Sequence, residues 1–155
     1  MASIRSRIGE NMEDRYLYKA KTIPKEKGEF NNVWVTGNLI VSNGKYYIHP
    51  AGNVVNVKNE TGRIIVMHEV IPDTICQCTG LKDRNGKLIW ENDIVVCHDF
   101  TEEKYVIAWK QDEACFEYQQ YGCSIMNFEQ LSGCEVEVIG NIFDNAELLE
   151  SEEKQ

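Results

Sequence analysis

The run from Val70 to Val96 constrains this chain most. Asn85-Gly86 stands between an apolar-rich segment, Thr74 to Leu81, and a short return, Leu88 to Trp90. Asn-Gly accepts the backbone conformations that tight turns require, so the pattern predicts a β-hairpin. Glu91-Asn92-Asp93 predicts a second sharp turn. Ile94 to Cys97 is a near-continuous apolar run, as a central strand buried on both faces would be. A β-hairpin signal, two turn signals and a cluster of polar groups thus share 27 residues.

Similar signals recur along the chain. Tyr16 and Tyr18 alternate with Leu17 and Lys19, and Ile23 to Gly28 reads as a polar loop. Val33 to Val41 is β-branched and aromatic, with Gly37 marking a bulge or a close backbone approach. Ser42-Asn43-Gly44-Lys45 predicts a tight turn and Tyr46 to Ile48 the returning strand. Asn53 to Val57 and Arg63 to Met67 flank a further hairpin turn at Asn59 to Gly62. Tyr105 to Trp109 and Cys115 to Tyr118 form another strand pair. Asn127 to Leu131 reads as one helical turn ending near Gly133, and Cys134 to Gly140 as a strand with one wet face. Asp144 and Glu147 have capping-box spacing for a short C-terminal helix reaching Glu150. Asn-Gly-Lys occurs at both 43 and 85, an echo too short to be an internal repeat. The expected fold is all-β: small barrel or sandwich elements with hairpins and a short C-terminal helix. The length suits one domain or two small ones; residues 1–13 are expected to be a flexible N-terminal arm, 14–150 a β domain and 151–155 an acidic tail.

The 155 residues suffice to bury a core without disulfide or metal staples. Charge is unevenly spread. Residues 1–30 carry 7 basic and 5 acidic groups, 31–98 carry 6 of each, and 99–155 carry 3 and 14. Such a chain is repelled by phosphate backbones unless a local basic patch offsets the field, which argues against a nucleic-acid partner. No apolar run approaches the ~18 residues of a membrane helix, and no apolar stretch follows Arg5 and Arg7, so a cytoplasmic protein is expected. The six cysteines at 76, 78, 97, 115, 123 and 134 are then expected to be reduced thiols, mostly small buried hydrophobes. Cys76, Cys78, Cys97 and His98 form the one set that resembles a metal site. Zinc sites usually use Cys-x₂-Cys pairs, and Cys76 and Cys78 are two apart, so no metal is expected. Cys97 and His98 point to opposite faces of a strand and cannot act as a dyad there. His49 and His68 read as structural residues beside strands, and Trp34, Trp90 and Trp109 as core.

Chemistry-bearing residues concentrate in the opening run. Asp83 and Asp93 each flank a turn, where a carboxylate accepts backbone N–H groups. Paired across the hairpin with Gln77, Thr79 and Asn92, they would instead form a polar site for a ligand or cation. No nucleophile or oxyanion feature accompanies them, so catalysis is not expected. A phosphate-binding glycine loop, a Walker motif and His-Glu-x-x-His are all missing from the sequence, and no cofactor is expected.

Four blocks, in this order and spacing, resemble the YopX family of small phage and prophage proteins. They are Tyr16 to Lys21; Trp34 to Ile40; Pro72 to Thr74 with Gln77, Thr79 to Lys87 and Trp90 to Val95; and Val138 to Asn145 with Glu147 to Leu149. The resemblance spans about residues 14–150. It implies an all-β fold with an SH3-like barrel element, encoded by a temperate phage, and no agreed enzyme activity or catalytic residues. The family usually has glycine at the position of Asn92, the best non-glycine residue for a left-handed backbone. It usually has an aromatic residue where this chain has Cys78, and Cys76 is not a family feature. The expectation is a non-enzymatic module binding a host protein or a small ligand through the loops around residues 79–93. The alternative is a nucleic-acid-binding accessory protein, by analogy with other small barrels. Exposed strand edges also suit a homo-oligomer.

Overall fold

A computed structural model describes residues 14–24, 32–50, 58–59, 62–63, 66–98, 103–120, 123–127 and 135–150. The strands in chain order are β1 (Tyr18–Lys21), β2 (Trp34–Ser42), β3 (Lys45–Pro50), β4 (Lys58–Asn59), β5 (Gly62–Arg63), β6 (His68–Glu69), β7 (Cys76–Lys82), β8 (Leu88–Trp90), β9 (Asp93–Cys97), β10 (Lys104–Lys110), β11 (Cys115–Gln120), β12 (Cys123–Asn127) and β13 (Val136–Asn141). A single turn of helix, α1 (Glu147–Glu150), follows. The fold is therefore mainly β, as expected, and its sheets are antiparallel. Among the described residues no strand pair closes a sheet into a barrel. The chain divides into two compact units, residues 16–77 and residues 78–150 with 14–15.

In the N-terminal unit the strands pair in the order β6-β3-β2-β1, and Cys76 and Gln77 at the start of β7 pair with Lys19 and Tyr18. Asn43 and Gly44 have φ of 51° and 73°, and Ser42 pairs with Lys45. That is the two-residue turn with positive φ at both centres that the Asn-Gly signal predicts. Gly37 is not a bulge: β2 keeps regular register through it, with Tyr18 on one side and Pro50 on the other. Ala20, Ile48 and Val70 form the buried core, with Tyr18, Val35, Leu39, Tyr46 and Ile75 against them. Pro72–Thr74 is a 3-10 turn that the sequence reading did not anticipate. Its Thr74 hydroxyl donates to the Ile71 carbonyl and accepts from Lys21 N–H at 2.9 Å, which pins the turn to β1. The first strand starts at Tyr18 rather than Tyr16, because Asp14–Tyr16 is also 3-10. Asn59 pairs with Gly62 and Lys58 with Arg63, as the hairpin there requires. Residues 53–57 and 64–65 of that expected hairpin lie outside the described residues, and Val66 and Met67, expected in its returning strand, are not in a strand.

The C-terminal unit contains a five-stranded sheet of order β12-β11-β10-β9-β13. All five residues of β9 are buried, which matches its unbroken apolar run. One core cluster joins Ile89, Val95, Cys97, Tyr105, Ile107, Tyr118 and Val136. Tyr105 and Tyr118 meet edge to face with ring centroids 6.0 Å apart. Such a contact is worth about 0.5–1.5 kcal/mol beyond the area it buries. Opposite β9, strand β13 carries a bulge: Val138 pairs with Val95 and Gly140 with Ile94, leaving Ile139 as the extra residue.

Two tryptophans depart from the core expectation. Trp90 is buried, Trp34 is half-buried, and Trp109 is 38% exposed. The cause is topological. β9 pairs with β10 only through Lys104, Tyr105 and Val106, so the far end of β10 runs past its neighbour. Asn127 ends β12 instead of opening a helical turn, and residues 128–134 lie outside the described set. The C-terminal helix begins later than the Asp144–Glu147 spacing suggests, because Asn141 organises a turn first. Its side-chain oxygen accepts from Phe143 N–H and Asp144 N–H, both at 3.0 Å. No helix among the described residues is long and apolar enough to cross a membrane.

Candidate functional site

Asp83 follows β7 at the start of the β7–β8 turn and is 7% exposed. One carboxylate oxygen accepts from Asn85 N–H at 2.8 Å and Lys87 N–H at 2.9 Å. The other accepts from Val138 N–H at 3.0 Å, 55 residues further along the chain. Burial pushes the Asp83 pKa up. The three N–H donors and the Lys87 charge outweigh that and hold it below the ordinary carboxylate value. Asp83 is thus a fixed anion, unsuited to giving up a proton near neutral pH.

The Asp83 side chain also decides the turn type. Asn85 here does not adopt positive φ, unlike Asn43; only Gly86 does, at 81°. Asp83 N–H donates to the Lys87 carbonyl and Gly86 N–H to the Asp83 carbonyl, giving a three-residue loop. This is the hairpin in which a tight turn is followed by a left-handed residue. An aspartate bonding the N–H two residues on favours that form, so one dipeptide yields two turns in one chain.

Thr79 holds the middle of β7. Its hydroxyl donates to the Ile89 carbonyl at 2.8 Å and accepts from Leu81 N–H at 3.1 Å. The β7–β8 register shifts between Cys78 and Lys82, and Gly80 sits at φ 78°. A Cβ on Gly80 would approach Arg15 Cβ to 3.0 Å, so both backbone and space favour glycine. Of the two readings at Gly37, a bulge or a close backbone approach, the bulge is found here instead.

Asn92 and Asp93 form the second turn. Asn92 has φ of 66°, which asparagine tolerates better than other side chains. Its N–H donates to the Ile107 carbonyl at 2.7 Å, and its carbonyl accepts from Ile142 N–H at 3.0 Å. Asp93 is 2% exposed, and one carboxylate oxygen accepts from Trp90 N–H at 2.9 Å. Asp83 is anchored to the N–H groups of Asn85 and Lys87, before β8 begins, and Asp93 to that of Trp90, where β8 ends. Each serves its own turn. Gln77 belongs to the N-terminal unit, where it pairs with Tyr18, while Thr79, Asp83, Asn92 and Asp93 all belong to the C-terminal unit.

The groups presented to solvent around this frame are different residues. Arg84, Asn85, Gly86 and Lys87 at the tip are exposed. Arg84 pairs with Glu135 at 3.3 Å, Asn85 Nδ2 donates to Glu137 at 3.3 Å, and His98 Nε2 lies 2.8 Å from the other Glu137 oxygen. Glu135 and Glu137 were legible only as the wet side of an alternating strand; nothing local placed them beside Asn85 and His98. Among the described residues no three His, Cys, Asp or Glu side chains converge as metal ligands. Cys76, Cys78 and Cys97 are buried thiols, and Cys115 is half-buried. Cys78 Sγ accepts from Gly80 N–H at 3.5 Å.

The sequence profile of a family described as YopX protein matches residues 13–150. No curated protein sequence matches the chain.

Proposed function

The chain belongs to the YopX family, and we propose that it is a non-enzymatic binding module of phage origin, acting on a host protein or a small ligand in the bacterial cytoplasm. One observation carries this reading. The exposed tip Arg84 to Lys87 is held by a buried carboxylate that accepts three backbone N–H groups. A rigid turn presenting Lys87 beside the exposed Arg84–Glu135 and Asn85–Glu137 pairs suits recognition, because little ordering entropy is lost on binding. Thr79, Asn92 and Asp93 serve in this reading to fix the presenting loops. Affinity capture from a bacterial lysate, with a thermal-shift screen of small ligands, tests it. A saturable partner or ligand whose binding weakens in Arg84→Glu is the expected result. Substrate turnover with neither partner nor ligand would sink it.

A second reading, an accessory protein that binds single-stranded nucleic acid, draws on the N-terminal unit. Lys19 and Lys21 place their ammonium groups 5.1 and 5.5 Å from the Trp34 ring centroid. Cations beside an aromatic ring are the pairing that single-strand binding uses. A gel shift at low salt that is lost as salt rises would support it; no shift at any salt removes it.

A further inference from the structure

We propose that the projecting end of the β10–β11 hairpin docks a basic segment of a protein partner, with Trp109 as the anchor. The proposal rests on the binding role argued above and adds to the Arg84–Lys87 tip a second surface with its own partner chemistry. Trp109 lies on the same side of β10 as the core residues Tyr105 and Ile107, by the two-residue period of a strand. Its cross-strand partner is Phe116. The two rings meet edge to face, centroids 5.0 Å apart at 72°. β9 stops pairing with β10 at Val106, so on this part of β10 the aromatic step is flanked by the paired strand β11 alone. Trp109 is consequently 38% exposed although its position in the strand is a core position.

The ring is also held in place. Its Nε1–H donates to Gln111 Oε1 at 3.1 Å, so the polar edge is satisfied locally and the apolar face is what remains to be covered. A tryptophan fixed before binding is the kind of residue on which interface energy concentrates.

Charge selects the partner. Gln111, Asp112, Glu113 and Ala114 at the tip are all exposed. Lys110, the cation at the tip, lies 2.8 Å from Glu113 and 3.8 Å from the buried Glu117. The described residues from 103 to 150, which belong to the same unit as the hairpin, carry 9 acidic groups against 2 basic ones. That field draws in a cationic segment and repels both a phosphate backbone and a second copy of the same surface. An arginine or lysine of the incoming segment would lie against the Trp109 face, where cation–π attraction adds to the electrostatics.

Two synthetic probes test this: a fifteen-residue peptide repeating Gly-Arg-Leu, and its counterpart repeating Gly-Glu-Leu. Titrations of the full chain would be followed by calorimetry. The arginine peptide is expected to bind saturably and the glutamate peptide not to bind. Trp109→Ala should weaken arginine-peptide binding by about tenfold or more, as loss of an interface anchor does. Trp109→Phe should retain part of it. Asp112→Asn with Glu113→Gln should weaken binding chiefly at low salt. Trp109→Phe and the charge variant keep the test decisive should Trp109→Ala misfold. Equal affinity of wild type and Trp109 variants, absence of saturable binding, or a concentration-dependent dimer abolished by Trp109→Ala would each overturn the proposal. A host partner captured equally by wild type and Trp109→Ala would overturn the docking surface while leaving the binding role intact.

Discussion

Asp83 shows how one side chain can act locally and at long range. Its two bonds within the hairpin were legible, because an aspartate two residues before an Asn-Gly turn has an obvious backbone donor to accept. Its third bond, to Val138, was not, since only the folded chain brings a segment 55 residues away alongside. Asp83→Asn keeps the shape but puts an amide where three N–H groups converge. Chemical denaturation at neutral pH should show a loss of about 1–3 kcal/mol, the usual cost of a lost charged hydrogen bond or an unsatisfied buried donor. The pH dependence follows from the sign of the shift. Because the folded pKa lies below the unfolded one, the unfolded chain takes up the proton first as pH falls. The contribution is therefore complete above the unfolded Asp value, about 3.9, and is lost as pH falls through the folded value. A denaturation series from pH 6 down to 2 should show this acid-limb loss in wild type, and a shallower limb in Asp83→Asn. Identical limbs would mean that Asp83 is not the group concerned. At Asn92 the left-handed position was expected from the resemblance, since the family usually has glycine there, and its φ is 66°.

Among elements, hairpins read well and irregularities read poorly. Turn dipeptides act over two to four residues, so the Asn43-Gly44 and Asn85-Gly86 turns were foreseen from the residues themselves. Bulges depend on the neighbouring strand, and the glycine that marks one, Gly80, looked no different from Gly37, which marks none. The bulge in β13 explains another glycine. A Cβ on Gly140 would lie 2.6 Å from Asn145 Oδ1 and 2.9 Å from Asn145 Cβ, too close for the side chain merely to swing aside. Asn145 Oδ1 also accepts from Asn141 N–H at 3.2 Å, so displacing it loosens the turn before α1. Gly140→Ala should cost about 1–3 kcal/mol, as overpacking does, measured by urea unfolding. Ala114 offers the opposite case. Its φ of 50° is a conformation that disfavours a Cβ by about 1–2 kcal/mol. Glycine gives back roughly half of that through its own chain entropy. Ala114→Gly should therefore raise the melting temperature modestly, and a fall would show that the Ala114 methyl makes a contact that matters.

At the scale of the whole molecule, the succession of strand and turn signals conveyed the fold class and the charge count its asymmetry, but neither located the division into two cores. Both units are built from the same kind of short antiparallel strand, and β7 runs from one into the other with no linker-like composition between them. The thiols report on that division. Cys76 is buried in the N-terminal unit and Cys97 in the core of the C-terminal unit, whereas Cys115 is half-buried. Under native conditions, alkylation followed by mass spectrometry should modify Cys115 well before Cys76 or Cys97. Raising the urea concentration then reads the opening of each core separately. Early modification of Cys97 would contradict the burial described. The candidate site was legible as a place but not as a surface. The polar residues that stand out in sequence turn inward to hold backbone, and the solvent-facing groups are assembled from β9, β13 and the hairpin tip only on folding. That inward turn has a further consequence, for solubility. β13 is an edge strand of its sheet, and outward-pointing amides on such an edge can template the strand of another molecule. Here the Val138 N–H is taken by Asp83 and the Val136 carbonyl by Arg84 N–H at 2.9 Å, so the hairpin tip lies along this edge as a permanent stopper. The carboxylate that secures the turn thereby also guards the protein against fibril-like growth from that side.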